Sequence, residues 1–178
     1  GSEMCIRDSD QTVHLLFSAN RWEMLSSIVQ SLVDGQHVIC DRYIFSGMAY
    51  THAKGLDLAW CTAPDVGLPV PDLTLFLDLD ESTATKRAAY GEERYERRAF
   101  QRLVRLAFEN VEQLMLRSGA RWERLDASGT LDDVWQAVHA QVQEVVSAPR
   151  SASLFSLDFR SAALALGTSL HTSEKATL

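Results

Sequence analysis

The 178 residues contain no run near the roughly 18 consecutive apolar residues that a membrane-spanning helix needs. A basic excess is missing too. Lys and Arg number 17 against 24 Asp and Glu, and the formal charge of -7 argues against general binding to nucleic acid or to an anionic membrane. Cysteine is sparse: Cys5, Cys40 and Cys61 are odd in number and widely spread, which excludes a disulfide framework and suits a reducing compartment. The five histidines are equally scattered, and no His/Cys spacing suits zinc. No internal repeat is visible.

What remains is an ordinary globular composition, 46% hydrophobic and 23% charged, with length for one domain and a real core. Residues 1–9, "GSEMCIRDS", show no periodicity and no capping logic and are expected to be a non-native leader. Residues 149–178 are rich in Ser and Ala and are expected to be a poorly ordered extension, leaving 10–148 as the domain. Apolar spacing predicts a helix over 11–33, stopped at Gly35, and then a short buried strand, "HVIC", at 37–40. A Gly-containing turn and another helix are expected after it. A brief helix ends at Pro64, and "VGLPVPD" must be loop, because prolines two residues apart suit neither helix nor central strand. "LTLFLDL" (73–79) reads as a strand covered on both faces. A helix is expected from Glu81, a long one over 96–117, a third strand at "RWERLDA" and a last amphipathic helix over 131–146. Strands separated by helices predict an α/β fold with a mainly parallel sheet.

In such sheets ligands sit beyond the carboxyl ends of the strands, here Asp41-Arg42, Asp78 with Asp80, and 126–128. Arg42 could fork onto a phosphate and Asp41 could hold Mg²⁺ or accept a proton; the plainer alternative is an ion pair at the sheet rim. In "LLFSANRWE", Phe17 and Arg21 lie four apart on one helix face. They could stack a planar base and donate to its carbonyl edge, or be a core Phe beside a surface Arg. Seven of the 17 basic residues fall between Lys86 and Arg105. Lys86, Arg87 and Arg94 flank a charged stretch around Gly91 that could close over phosphates, whereas Arg98, Arg102 and Arg105 recur as a solvated face.

Taken in order, "LLFSANRWE", "DRYIFSGMAY", "PDVGLPVPDLTLFLDL" and "YGEERYE" resemble the thymidylate kinase family in its eukaryotic form, over roughly residues 10–146. The resemblance implies a three-layer P-loop kinase fold, a parallel sheet with helices on both faces, and ATP-dependent phosphorylation of dTMP to dTDP with Mg²⁺. It implies thymine stacking on Phe17 and contact of Arg21 with the O4 edge. Arg42 would meet phosphate, and Asp41 would stand near the metal or its waters. Ser46 and Gly47 would border the dTMP pocket, and Tyr50 would pack on the deoxyribose. Lys86, Arg87 and Arg94 would belong to the lid, and Tyr95 and Gln101 would contact the nucleoside. The loop 126–128 near the adenine is a looser match. A homodimer is implied for the full-length protein, with no nucleic-acid or membrane partner and a cytoplasmic setting in which nuclear or mitochondrial forms stay open.

The family's G-x-x-x-x-G-K-[ST] loop does not occur among the nine glycines. The expectation is therefore an N-terminally truncated chain that lacks the first strand and the phosphate cradle, is poorly stable and transfers no phosphate. A related deoxynucleoside kinase, and a non-catalytic nucleotide-binding protein without the loop, are the competing readings.

Overall fold

The computed structural model describes residues 9–80, 83 and 94–148, the side chains of 94–98 excepted. The chain opens with α1 (Asp10–Val33), followed by α2 (Ile44–His52), the short α3 (Leu58–Thr62) and a 3-10 turn (Ala63–Asp65). Strand β1 (Thr74–Asp78), the long α4 (Arg94–Arg117), β2 (Trp122–Asp126) and α5 (Leu131–Ser147) complete it. No helix among the described residues is long and apolar enough to cross a membrane.

Local chemistry accounts for the helix limits. The Ser9 side chain accepts from the Thr12 amide and caps α1. At the other end Gly35, with φ 79°, takes the left-handed turn that lets the Gln36 amide reach the Ser31 carbonyl. Asp57 caps α3 through the Trp60 amide, and Thr130 with Asp133 forms a reciprocal capping box on α5. Gly119, φ 82°, ends α4 as expected.

The two strands pair in parallel, from Thr74 opposite Trp122 to Asp78 opposite Asp126, which makes the fold α/β as predicted. Behind them lies the core. Ile44, Phe45 and Met48 of α2 meet Val111, Leu114 and Met115 of α4, with Leu68 and Trp122 closing it. Burial on this scale, at about 1.5–3 kcal/mol per large side chain, fixes α2 against α4.

Three expectations fail here. The strand predicted at 37–40 is absent: these residues join no ladder among the described residues, and Ile39 is 92% exposed. A parallel strand needs a hydrogen-bonded neighbour to cover it, and the described sheet holds only β1 and β2. β1 is not covered on both faces either, since Leu77 stands half exposed. The turn predicted after the strand is also missing, because Ser46 and Gly47 lie inside α2. Most of the helix predicted from Glu81, and residues 1–8 and 149–178, lie outside the described residues.

Candidate functional site

Helix α1 and the loop after α3 are locked by a buried polar network. Asp65 is fully buried and takes Arg21 in a two-point grip, Nε at 3.0 Å and Nη2 at 2.7 Å. The Ser18 hydroxyl donates to the same carboxylate at 2.7 Å. Trp22 Nε1 donates to the Pro64 carbonyl at 2.7 Å, and its ring lies against Gly67. Ser18, Arg21 and Trp22 are three and four residues apart, so one face of α1 supplies all three. His14 fastens the same face one turn earlier, with Nε2 donating to the Cys61 carbonyl and Nδ1 at 2.9 Å from the Thr51 hydroxyl.

The result reverses the plain reading of Phe17 and Arg21. The aromatic ring is 62% exposed, whereas the arginine side chain is only 11% exposed and is held by a carboxylate. An apolar ring left in water beside a buried, aimed guanidinium suits a platform and donor for a flat, carbonyl-bearing ligand.

Helix α2 forms the adjoining wall. Gly47 faces the guanidinium so closely that a Cβ there would lie 3.3 Å from both Nη1 and Nη2 of Arg21. Ser46 is half buried beside it. Tyr50 packs between α2 and α4, with ring centroids 6.3 Å from both Phe100 and Phe108. Burial pushes the Tyr43 phenol up to about 12, assisted by Cys40 and Asp65 and opposed by Arg21, so Tyr43 sits in the field of the same network.

Asp41 and Arg42 lie exposed just before α2 and form no ion pair with each other among the described residues. Arg42 instead holds a left-handed backbone, φ 63°, a conformation that costs a non-glycine residue about 1–3 kcal/mol. Its guanidinium lies 5.7 Å from the Tyr50 ring centre. The strained turn thus brings a cation to the same side as Tyr50, in place of the predicted alternative of a rim ion pair.

The other strand ends are less available. Asp78 accepts from Arg105 at 2.8 Å and from Arg124 at 2.9 Å, and Arg124 also pairs with Glu112, so this carboxylate is consumed in holding α4 on β1. Arg105, predicted as part of a solvated face, is one of its partners. Among the described residues no three His, Cys, Asp or Glu side chains converge as a metal cage would. Mg²⁺ usually takes one or two protein carboxylates together with waters and substrate phosphates, so the lone exposed Asp41 fits a metal delivered with a nucleotide. Gln101 is exposed on α4, next to the Phe100 that touches Tyr50. Lys86 and Arg87, and the side chains of Arg94 and Tyr95, lie outside the described residues.

Sequence reasoning misses Asp65, Ser18 and His14. The available signal was the Asp of "PDVG": a carboxylate inside an otherwise apolar loop must be paired if buried, and the only cation on the adjacent helix face is Arg21.

Comparison with known proteins bears on the family and the fold. A family model described as thymidylate kinase matches residues 4–138. The chain is 48% identical over 139 residues to thymidylate kinase of Danio rerio and 46% identical to that of Schizosaccharomyces pombe. In each case the match covers 78% of this chain and 64% of the relative, so the chain spans somewhat less than two thirds of their length. A solved thymidylate kinase structure from Candida albicans superposes with a TM-score of 0.71 at 35% identity, over 86% of this chain and 76% of that one. That neighbour has the P-loop kinase fold, which the parallel α/β arrangement here shares. With the family model matched over most of its length, this chain belongs to the thymidylate kinase family.

Proposed function

We propose that the chain forms the dTMP side of a thymidylate kinase, the enzyme that moves the terminal phosphoryl of ATP onto the phosphate of dTMP to give dTDP. The observation that carries this reading is the pairing of an exposed Phe17 with a buried, carboxylate-held Arg21 one turn away. Phe17 offers a stacking face for thymine, and Arg21 offers donors to its 4-carbonyl. Ser46 and Gly47 leave room beside the base, and Tyr50 packs on the deoxyribose. Arg42 neutralises the acceptor phosphate, and Asp41 orients the attacking phosphate oxygen and the water shell around it. Mg²⁺, bound with ATP, would neutralise charge on the transferring phosphates near Asp41. Gln101 borders the nucleoside.

No G-x-x-x-x-G-K-[ST] loop occurs in the 178 residues, so on this reading they transfer no phosphate by themselves. Exposed apolar side chains on α1, among them Leu16 and Val33, provide a face for a homodimer of the full-length protein, which light scattering on that protein would detect. The site reading is tested by thermal shift. dTMP should raise the melting temperature of the chain more than thymidine does. An equal or larger effect of thymidine would favour a nucleoside kinase and overturn the assignment.

A further inference from the structure

The grip of Asp65 on Arg21 has a consequence for base choice. A guanidinium carries five N–H donors and no acceptor. Asp65 takes the Nε and Nη2 edge, while the Ser18 hydroxyl donates to the same Oδ1 that accepts from Nε. Among the described residues no group accepts from Nη1, and the Nη1/Nη2 end of the fork lies against Gly47, where α2 has no side chain. Because Asp65 is fully buried and Arg21 nearly so, neither end of the pair can swing into solvent without stranding a buried charge.

We infer that Asp65 is the positioning residue for base selectivity, fixing the Arg21 fork so that its Nη1 edge meets a carbonyl at position 4 of a pyrimidine and rejects an amino group there. The inference rests on the dTMP reading above and adds to it a residue that touches no substrate. A locked donor-only edge faces a 4-carbonyl as a charge-assisted hydrogen bond. Against a 4-amino group it sets donor to donor. A guanidinium free to turn away would escape that repulsion, so selectivity depends on the lock as much as on the arginine.

Calorimetry on the 178-residue chain, with dTMP and dCMP as the two probes, tests this. The wild-type chain should prefer dTMP, and Asp65→Asn, which keeps the shape but drops the charge that aims the fork, should narrow the preference by about tenfold or more. 5-Methyl-dCMP is run beside dCMP so that sugar, phosphate and 5-methyl are matched to dTMP, and general loosening would then weaken both methylated probes and leave their ratio unmoved. In case Asp65→Asn does not fold, arginine-selective NMR of the wild-type chain provides an independent reading. The Arg21 Nη1 protons should shift with dTMP and not with dCMP, while Nε–H stays in place. Failure of the wild-type chain to bind dTMP would sink the site reading and this inference with it. Normal dTMP binding with an unchanged ratio in Asp65→Asn, or with no response at Arg21, would overturn the inference alone.

Discussion

Replacing Gly47 by Ala should separate binding from stability. Gly47 lies inside α2 with an ordinary helical backbone, and there glycine is about 1 kcal/mol worse than alanine. A new methyl would stand 3.3 Å from Nη1 and Nη2 and 3.6 Å from Cζ of Arg21, so the guanidinium must yield by a few tenths of an ångström. On an exposed arginine that shift would cost nothing. Here Asp65 holds Nη2 at 2.7 Å and Nε at 3.0 Å, so the group can move only by loosening those bonds or by turning Nη1 away from the ligand. The helix gain and the crowding are of similar size, so the melting temperature should move by no more than about 2–4 °C. The base contact, a hydrogen bond from a charged donor worth about 1.5–3 kcal/mol, should be mostly lost, and dTMP affinity should fall about tenfold or more. Calorimetry and thermal melts on the same preparations measure both. An alanine variant that binds dTMP as tightly as the wild type would refute the claim that Arg21 is fixed against α2.

Other outcomes follow from particular residues. Ile39→Lys should change stability by less than about 0.5 kcal/mol in urea melts, because Ile39 is 92% exposed; a loss of several kcal/mol would show that 37–40 is a buried strand after all. The raised phenol of Tyr43 favours the folded state fully below pH 10 and loses that contribution as pH climbs towards about 12. Tyr43→Phe should therefore flatten the fall in stability over that window, and an unchanged alkaline limb would count against its burial. Asp133 is held below its usual 3.8 by the Thr130 hydroxyl and then the Thr130 amide, so its capping contribution is present above 3.8 and fades as pH drops through its own lower value. Asp133→Asn should remove that acid sensitivity from amide exchange at the start of α5, and persistence of it would point to another carboxylate.

Much of this architecture is legible in the residues. The 24-residue helix α1 and the equally long α4 announce themselves by apolar spacing and by Gly35 and Gly119 at their ends. β1 stands out as a short apolar run, whereas β2, with three charged residues in five, is marked by its place between Gly119 and the last helix. The strand at 37–40 misleads because "HVIC" has strand composition, whereas a strand exists only through its partner, and composition does not report partners. Phe17, Arg21, Gly47 and Tyr50 are readable as a set from their motifs. Asp65 and Ser18 are not, since their role comes from complete burial and from contacts 44 to 47 residues apart in the chain. The strained backbone of Arg42 is likewise invisible before coordinates, because nothing in an Asp-Arg-Tyr sequence demands a positive φ.

The central claim is that the wall formed by α1, α2 and the Asp65 loop receives dTMP through Phe17. Intermolecular NOEs measured on the chain with saturating dTMP test it most directly. Cross-peaks should join the thymine methyl and ring protons to the Phe17 ring, with accompanying shifts at Arg21 and Gly47. Saturable dTMP binding whose NOEs and shifts fall elsewhere, with Phe17 unaffected, would contradict it.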